Sequence, residues 1–382
     1  MAKYKLKELC EFITDGTHQT PEYCGNDGVI FLSSKDVTER KINWDSVKYI
    51  PNALHEKLCK RLKPRKNDIL LAKNGTTGVA AIVDRDEIFD VYVSLAVLRP
   101  LNVVYPKYLL YAINSPVVKR QFDAGLKGVG VPNLHLGVIK ETWINVVKKE
   151  GQQKVCKVLD KIEKIIELKK QELQLLDELI KARFVEMFDL SECVYGTFGK
   201  DTDFVDYRGK TPELSDVGTI RMVNAKSVGK GVFKTVNEYV TDEVYEKWMH
   251  RGLGYPGDIL FVTEGHTFGN TCLVPDYLKK FALGQRVITI KGHSEVIDNA
   301  FLGTYMQMEQ FKQDIDVYKT GGTAQGIRSK DLLKIRLPLP KYKEQKEFAD
   351  FIKQVDKSKV AVQKSLDETQ LLFDSLMQKY FG

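Results

Sequence analysis

The sequence predicts an α+β chain: two pseudo-twofold-related mixed α/β domains joined by two long helices that pair as an antiparallel coiled coil. Three observations predict it. The chain repeats itself at a shift of about 190 residues, each repeat alternates short apolar runs with turn residues, and each closes on a long stretch of heptad period.

The repeat holds residue by residue. Val29-Ile30-Phe31-Leu32, followed by Lys35 and Val37, falls on Ile220-Arg221-Met222-Val223, Lys226 and Val228 at a shift of 191. At a shift of 190, Asn67-Asp68-Ile69-Leu70-Leu71 falls on Gly257-Asp258-Ile259-Leu260-Phe261, and Gly75 on Gly265. Both segments read as a turn entering a buried strand. Farther on, Gly137-Val138-Ile139-Lys140 meets Asp331-Leu332-Leu333-Lys334, and Gln153-Lys154 meets Gln345-Lys346. The period is far longer than the roughly 20–50 residues of a solenoid, so a whole domain is duplicated. Such a chain suits a ligand with two similar halves, and DNA is the first to consider.

The elements follow in order. Residues 1–149 form the first domain, with apolar runs at Gly28 to Leu32, Asp68 to Ala72, Val91 to Leu98 and Trp143 to Val147 and a helical stretch over Pro106 to Phe122. A spacer helix over 150–190 follows. The second domain, 191–341, has the same texture, with strands near Thr219 to Val223, Asp258 to Val262 and Gln285 to Ile290 and a helix near Ala300 to Phe311. A second spacer helix occupies 342–382.

In the first helix the steps of three and four run Leu159, Ile162, Ile166, Lys169, Leu173, Leu176, Ile180, Arg183, Met187. Adding 193 gives Ile352, Val355, Lys359, Val362, Leu366, Thr369, Phe373, Leu376 and Tyr380, a second seam in the same register. Each helix spans about 50 Å at 1.5 Å per residue, and an apolar stripe of that length needs a partner. Antiparallel pairing of the two meets that need; the alternative is that each packs on its own domain.

Composition excludes several classes. With 43% hydrophobic residues over 382 positions the chain can fill two cores. No apolar run reaches the ~18 residues of a membrane span, and the N-terminus carries no signal-peptide segment, so a cytoplasmic location is expected. Six cysteines stand singly with no C-x-x-C pair, which argues against structural zinc and disulfides. The net charge of +7 suits a polyanion partner.

Motifs for chemistry are missing. There is no G-x-x-x-x-G-K-[ST] loop, no G-x-G-x-x-G opening a helix, no adenine-methyltransferase Asn-Pro-Pro-Tyr segment and no nuclease carboxylate cluster. Gly128-Val129-Gly130-Val131-Pro132-Asn133 runs into proline and reads as a turn or DNA-facing loop. His55-Glu56-Lys57-Leu58-Cys59 has cysteine where a zinc helix needs its second histidine, and reads as a surface helix.

The duplicated unit, closing each time with an apolar segment, a Gln-Lys pair and a heptad helix that ends in Arg183-Phe184-Val185-Glu186-Met187-Phe188 or Leu376-Met377-Gln378-Lys379-Tyr380-Phe381, resembles the specificity subunit of a type I restriction-modification system. So does Gly321-Gly322-Thr323-Ala324-Gln325-Gly326-Ile327 leading to Ile335-Arg336-Leu337-Pro338-Leu339-Pro340 and Glu344-Gln345-Lys346. The first copy departs by lacking the prolines and by placing Gly151 where the second has Glu344.

The resemblance implies two target-recognition domains reading a bipartite, asymmetric DNA sequence, with helix length fixing the gap. It implies two adenine-methyltransferase subunits and the restriction/translocase subunits as partners. S-adenosylmethionine, ATP and Mg would bind only on those partners, and this chain would be non-catalytic, with no cofactor or metal of its own. A coiled-coil scaffold for protein binding and a stand-alone nucleic-acid-modifying enzyme are the alternatives.

Phosphate contacts need Lys and Arg, and base edges need polar side chains on loops. The candidates in the first domain are Thr17, His18, Gln19 and Thr20, then Lys73, Asn74, Thr76 and Thr77, then Lys127 and Asn133. Their counterparts are Tyr207, Arg208, Lys210 and Thr211, then Thr263, His266 and Thr267, then Lys319, Thr320, Thr323, Gln325 and Arg328.

Overall fold

The computed structural model describes residues 1–126, 132–207, 211–322 and 325–382. Two compact units form, one from Met1–Lys170 with Lys364–Gly382, the other from Gln171–Gln363. Each therefore contains a stretch of both long helices, Lys149–Met187 and Tyr342–Phe381.

The first unit is built on a four-stranded antiparallel sheet in the order Cys10–Asp15, Leu95–Pro100, Ile69–Ala72, Ala80–Ile82. A three-stranded sheet places Val29–Leu32 antiparallel to Lys48–Ile50 and parallel to Phe89–Val91. Ala2–Lys5 pairs antiparallel with Trp143–Val146. The second unit repeats these three sheets with the same sense of pairing. Its four-stranded sheet runs Thr202–Asp206, Val287–Gly292, Ile259–Val262, Thr271–Leu273. Ile220–Val223 lies between Tyr239–Val240 and Phe281–Leu283, and Val194–Thr197 pairs with Arg336–Leu339.

Backbone details carry the repeat further. Asn67 (φ 70°) and Gly257 (φ 84°) both take the left-handed conformation that the turn demands. The next residue closes each turn: Asp68 Oδ2 accepts from Arg65 N at 3.0 Å, and Asp258 Oδ2 from Tyr255 N at 2.8 Å. Gly75 and Gly265 are again left-handed, at φ 75° and 98°. The strands between them, Ile69–Ala72 and Ile259–Val262, are buried along their whole length, as their unbroken apolar runs predict.

Two expectations change. The run Val91 to Leu98 is two strands in different sheets, because a turn closed by Leu95 N donating to Tyr92 O at 2.9 Å interrupts it. The helical stretches are each two helices, Pro106–Ile113 with Pro116–Ala124, and Asn299–Tyr305 with Glu309–Val317. Pro116 cannot continue the first helix, and Ser115 Oγ caps the next by accepting from Val118 N.

The long helices pair antiparallel inside each unit. In the first, Leu159, Ile162 and Ile166 share one core with Phe373, Met377 and Phe381. Tyr111 packs on Phe373, its hydroxyl 2.6 Å from a carboxylate oxygen of each of Asp160 and Glu163, while Tyr108 packs on Phe381. In the second, Phe184 and Phe188 pack on Phe348, while Lys359 Nζ lies 2.7 Å from Asp177 Oδ1. Numbers rise on one helix as they fall on the other. Every seam residue is at least partly buried: Ile352, Val355 and Phe373 deeply, and Leu173, Leu176, Ile180, Val362, Leu366 and Leu376 in part. The deep positions gain a third layer, from Tyr108 and Tyr111 in one unit and Phe301 in the other. The helices thus pack on each other and on their domains at once.

At the junctions the shift of 193 that sets Gly151 on Glu344 holds, and the Gln153-Lys154 match to Gln345-Lys346 does not. Gln152, and not Gln153, is the partner of Gln345, each the fourth residue of its helix. Gln152 Oε1 accepts from Tyr105 N at 2.7 Å, and its Nε2 donates to Val103 O and Val147 O at 3.3 and 3.0 Å. Gln345 Oε1 accepts from Asp298 N at 2.8 Å, and its Nε2 donates to Val296 O and Pro340 O at 3.1 and 2.8 Å. Both amides are buried, whereas Gln153 is exposed.

Candidate nucleic-acid interface

One end of each four-stranded sheet gathers the described residues of the three loop groups. In the first unit Cys10–Asp15 and Ile69–Ala72 both finish where Leu95–Pro100 begins, since Ala96 faces Asp15 on one side and Leu71 on the other. The loops after the first two strands must therefore emerge together. The third joins them through an antiparallel bridge between Asn74 and Asn133 and a bond from Leu134 N to Lys73 O at 2.9 Å. In the second unit Ile288 faces Asp206 and Phe261 in the same way. There the bridge joins Glu264 to Gly326, and Gly265 N donates to Gln325 O at 2.8 Å.

Burial sorts the candidates. His18, Gln19, Thr20 and Thr76 are exposed, and Thr17, Asn74, Thr77 and Asn133 half-buried. The Thr76 hydroxyl turns inward to Val37 O and Ser34 O. Asn133 Oδ1 is buried with no hydrogen-bond partner among the described residues. In the second unit Thr211, His266, Thr267, Thr320, Gln325 and Arg328 are exposed, and Lys319 half-buried beside Asp316. Lys127, Arg208, Lys210 and Thr323 lie outside the described residues.

Three candidates are corrected. The Lys73 ammonium is buried against Asp15 Oδ2 at 2.5 Å, its side chain 8% exposed, and so it is not offered to a phosphate. The Tyr207 hydroxyl is held inside, donating to Gly252 O and accepting from Arg251 N. Thr263 is fully buried, its hydroxyl donating to Arg286 O at 3.2 Å. Each sits on the last paired position of a strand or one residue past it, where the chain is still inside the sheet. The polar loops proper begin a residue or more later.

Sequence reasoning missed what supports these loops. Gly16 runs so close to the buried Phe89–Val91 strand that an added Cβ would lie 1.8 Å from Val91 O. Gly16→Ala is expected to push that strand aside and destabilise the first unit by about 1–3 kcal/mol, measured by urea titration; a change within 0.5 kcal/mol would contradict the close approach. Tyr92 OH meets Thr20 Oγ1 at 3.2 Å, and Arg61 Nη2 donates to Asp15 O at 2.8 Å. Asp90, next to this loop, is raised above the usual carboxylate range by burial, against the pull of a 2.7 Å hydrogen bond with His55 Nδ1. That bond gives His55 a carboxylate partner in place of the metal for which its helix lacks a second histidine. In the second unit exposed Arg286, left-handed at φ 74°, pairs with Glu264 at 3.1 Å. The Gln285 to Ile290 run hid it by reading as strand.

The arrangement offers hydroxyl, amide, imidazole and guanidinium groups on loops over a rigid sheet. Such groups suit hydrogen bonding to base edges and phosphates. Among the described residues no group of three or more His, Cys, Asp or Glu side chains is placed to hold a metal ion. No helix among them is long and apolar enough to cross a membrane.

One loop-bearing platform, present twice with different side chains at corresponding positions, defines the class: a duplicated recognition protein. Residues 1–178 and 203–369 each match the profile of the type I restriction modification DNA specificity domain. The type I restriction enzyme MjaVIII specificity subunit of Methanocaldococcus jannaschii is 23% identical over 81% of this chain and 78% of its own length. The putative MjaX specificity subunit of the same organism is 21% identical over 92% and 86%. Among solved structures, the S subunit of a type I restriction-modification system from M. genitalium superposes with a TM-score of 0.55 at 15% identity, covering 100% of this chain and 96% of that one. A chain from work on complex assembly and conformational transition of the type I R-M system gives 0.57 at 16%, covering 99% and 97%. The chain belongs to the family of type I restriction-modification specificity subunits, the DNA sequence-recognition component of those systems.

Proposed function

We propose that the two loop sets read the two halves of a bipartite, asymmetric DNA target, and that this chain contributes no catalysis of its own. The observation that carries the reading is the duplicated sheet end: one scaffold, with His18, Gln19 and Thr20 on one copy and Thr211, His266 and Arg328 on the other. Equal scaffolds with unequal side chains suit two unequal half-sites. Two adenine-methyltransferase subunits and the restriction/translocase subunits dock on this chain, and S-adenosylmethionine, ATP and Mg bind on them. The complex works on DNA in the cytoplasm.

A second stripe on the central helix supports docking. Val158, Ile165 and Leu168 in the first unit, and Leu175 and Leu179 in the second, are exposed. Each precedes a seam position by one residue, about 100° around the helix. In each unit, apolar side chains left in water on this face of the helix mark a surface for a partner.

Mapping methylated adenines in the genome with and without this chain gives both half-sites and their gap. Inserting one heptad in each helix, within the seams that start at Leu159 and Ile352, is expected to lengthen the gap and leave both half-sequences unchanged. An altered half-sequence with the old gap would refute the spacer role of the helices. A methylation pattern indifferent to the chain would refute the reading as a whole.

A further inference from the structure

Asp15 and Lys73 form a buried ion pair that touches two of the three loops of the first unit. Lys73 Nζ lies 2.5 Å from Asp15 Oδ2, with the two side chains 8% and 11% exposed. The other carboxylate oxygen, Oδ1, lies 3.4 Å from Nε2 of His18, whose side chain is 75% exposed. Further bonds hold the same two residues. Arg61 donates to Asp15 O, and Lys73 N donates to Ser94 O at 2.8 Å while Lys73 O accepts from Leu134 N. The charges thus tie two loops of this sheet end to each other, the backbone of Lys73 adds Leu134 beside the third, and one carboxylate oxygen lies against an exposed imidazole.

The second unit is built differently at the matching places. The strand register puts Asp206 where Asp15 stands, and Thr263 follows its strand as Lys73 does. Asp206 Oδ2 accepts from Ser329 Oγ at 3.1 Å, and the Thr263 hydroxyl donates to Arg286 O. Threonine stands where the first copy has Lys73, so a tie through a lysine at that strand end belongs to the first copy.

We propose that Asp15 and Lys73 are positioning residues for reading the first half-site: the ion pair sets the spacing of the loops and the carboxylate fixes the imidazole of His18 toward DNA. This rests on the assignment of those loops to DNA. A buried charge pair suits the task because its geometry is narrow: taking either charge from water is costly unless the partner stays in place. Positioning differs from phosphate neutralisation in what it predicts. A lysine on a phosphate adds affinity on every sequence and steepens the salt dependence by about one unit, whereas a positioning pair changes discrimination alone.

The test uses the chain assembled with its modification subunits and the double variant Asp15→Asn/Lys73→Met, which removes both charges and leaves neither buried alone. Binding is measured on the native target, on DNA with the first half-site scrambled and on DNA with the second scrambled, at several salt concentrations. The expected result is a loss of about tenfold or more in discrimination at the first half-site, with second-half discrimination and salt slope unchanged. Retained discrimination with a salt slope lowered by about one would make Lys73 a phosphate contact and overturn the proposal. Loss at both half-sites would overturn it too, showing a fold defect in place of a local one. Gln19→Ala/Thr77→Ala serves as the control. If it lowers first-half discrimination and the pair variant does not, only this proposal falls; if neither does, the loop assignment falls with it.

Discussion

Phe184→Ala is expected to cost the second unit about 3–5 kcal/mol. Phe184 is fully buried at the meeting of three elements, stacked on Phe301 at 5.2 Å and packed against Phe188 at 5.1 Å and Phe348 at 5.5 Å. Truncation removes contacts to both long helices and to the domain, and the rings around the void belong to separate elements that cannot collapse together. Trp248 reports on this unit, because Trp44 and Trp143 lie in the first. With those two replaced by Phe, urea titration followed by Trp248 fluorescence gives the change. A loss under about 1 kcal/mol would mean that the helix end does not dock as described. Phe373→Ala is the matching change in the first unit, where the ring lies against Tyr111 and under the Arg40 guanidinium at 4.9 Å.

Gln345→Leu is expected to have an effect of comparable size. Leucine fills similar space but leaves Asp298 N, Val296 O and Pro340 O without the bonds that Gln345 supplies. Each buried group left unpaired costs about 1–3 kcal/mol. Gln345→Glu keeps the acceptor for Asp298 N yet turns a carboxylate oxygen toward two carbonyls, so it should destabilise as well. Gln152→Leu should do the same in the first unit. The readout is again urea titration, with Gln153→Leu, on the exposed neighbour, as the control expected to stay within 0.5 kcal/mol. Equal effects at Gln152 and Gln153 would undo the junction assignment.

The two glutamines also show where reading a sequence succeeds and where it slips. The repeat and the heptad register were legible, and the seams at Leu159 and Ile352 are buried as their spacing requires. At the junction the sequence offers two alignments one residue apart, because Gln153-Lys154 matches Gln345-Lys346 letter for letter while Gly151 on Glu344 sets Gln152 on Gln345. The true equivalence depends on which amide reaches three backbone groups from other segments. The candidate loops show the same division. Their correspondence between the two copies was legible through the paired glycines Gly75 and Gly265, since a left-handed turn is a local demand. That Lys73, Tyr207 and Thr263 point inward was not, because their partners Asp15, Gly252 and Arg286 lie 20 or more positions away.

The sequence by itself determined the duplicated unit, the strands that are apolar along their length, the two long helices and the face each buries. The first rests on a repeat at a shift of about 190 residues and the others on short-range periodicity, both of which a linear chain displays directly. Only the tertiary structure decided which polar groups face solvent, which charges neutralise each other and which amide locks each junction. Those outcomes depend on strand register and on side chains brought together from distant parts of the chain, where burial makes an unpaired polar group costly and so selects one partner over another.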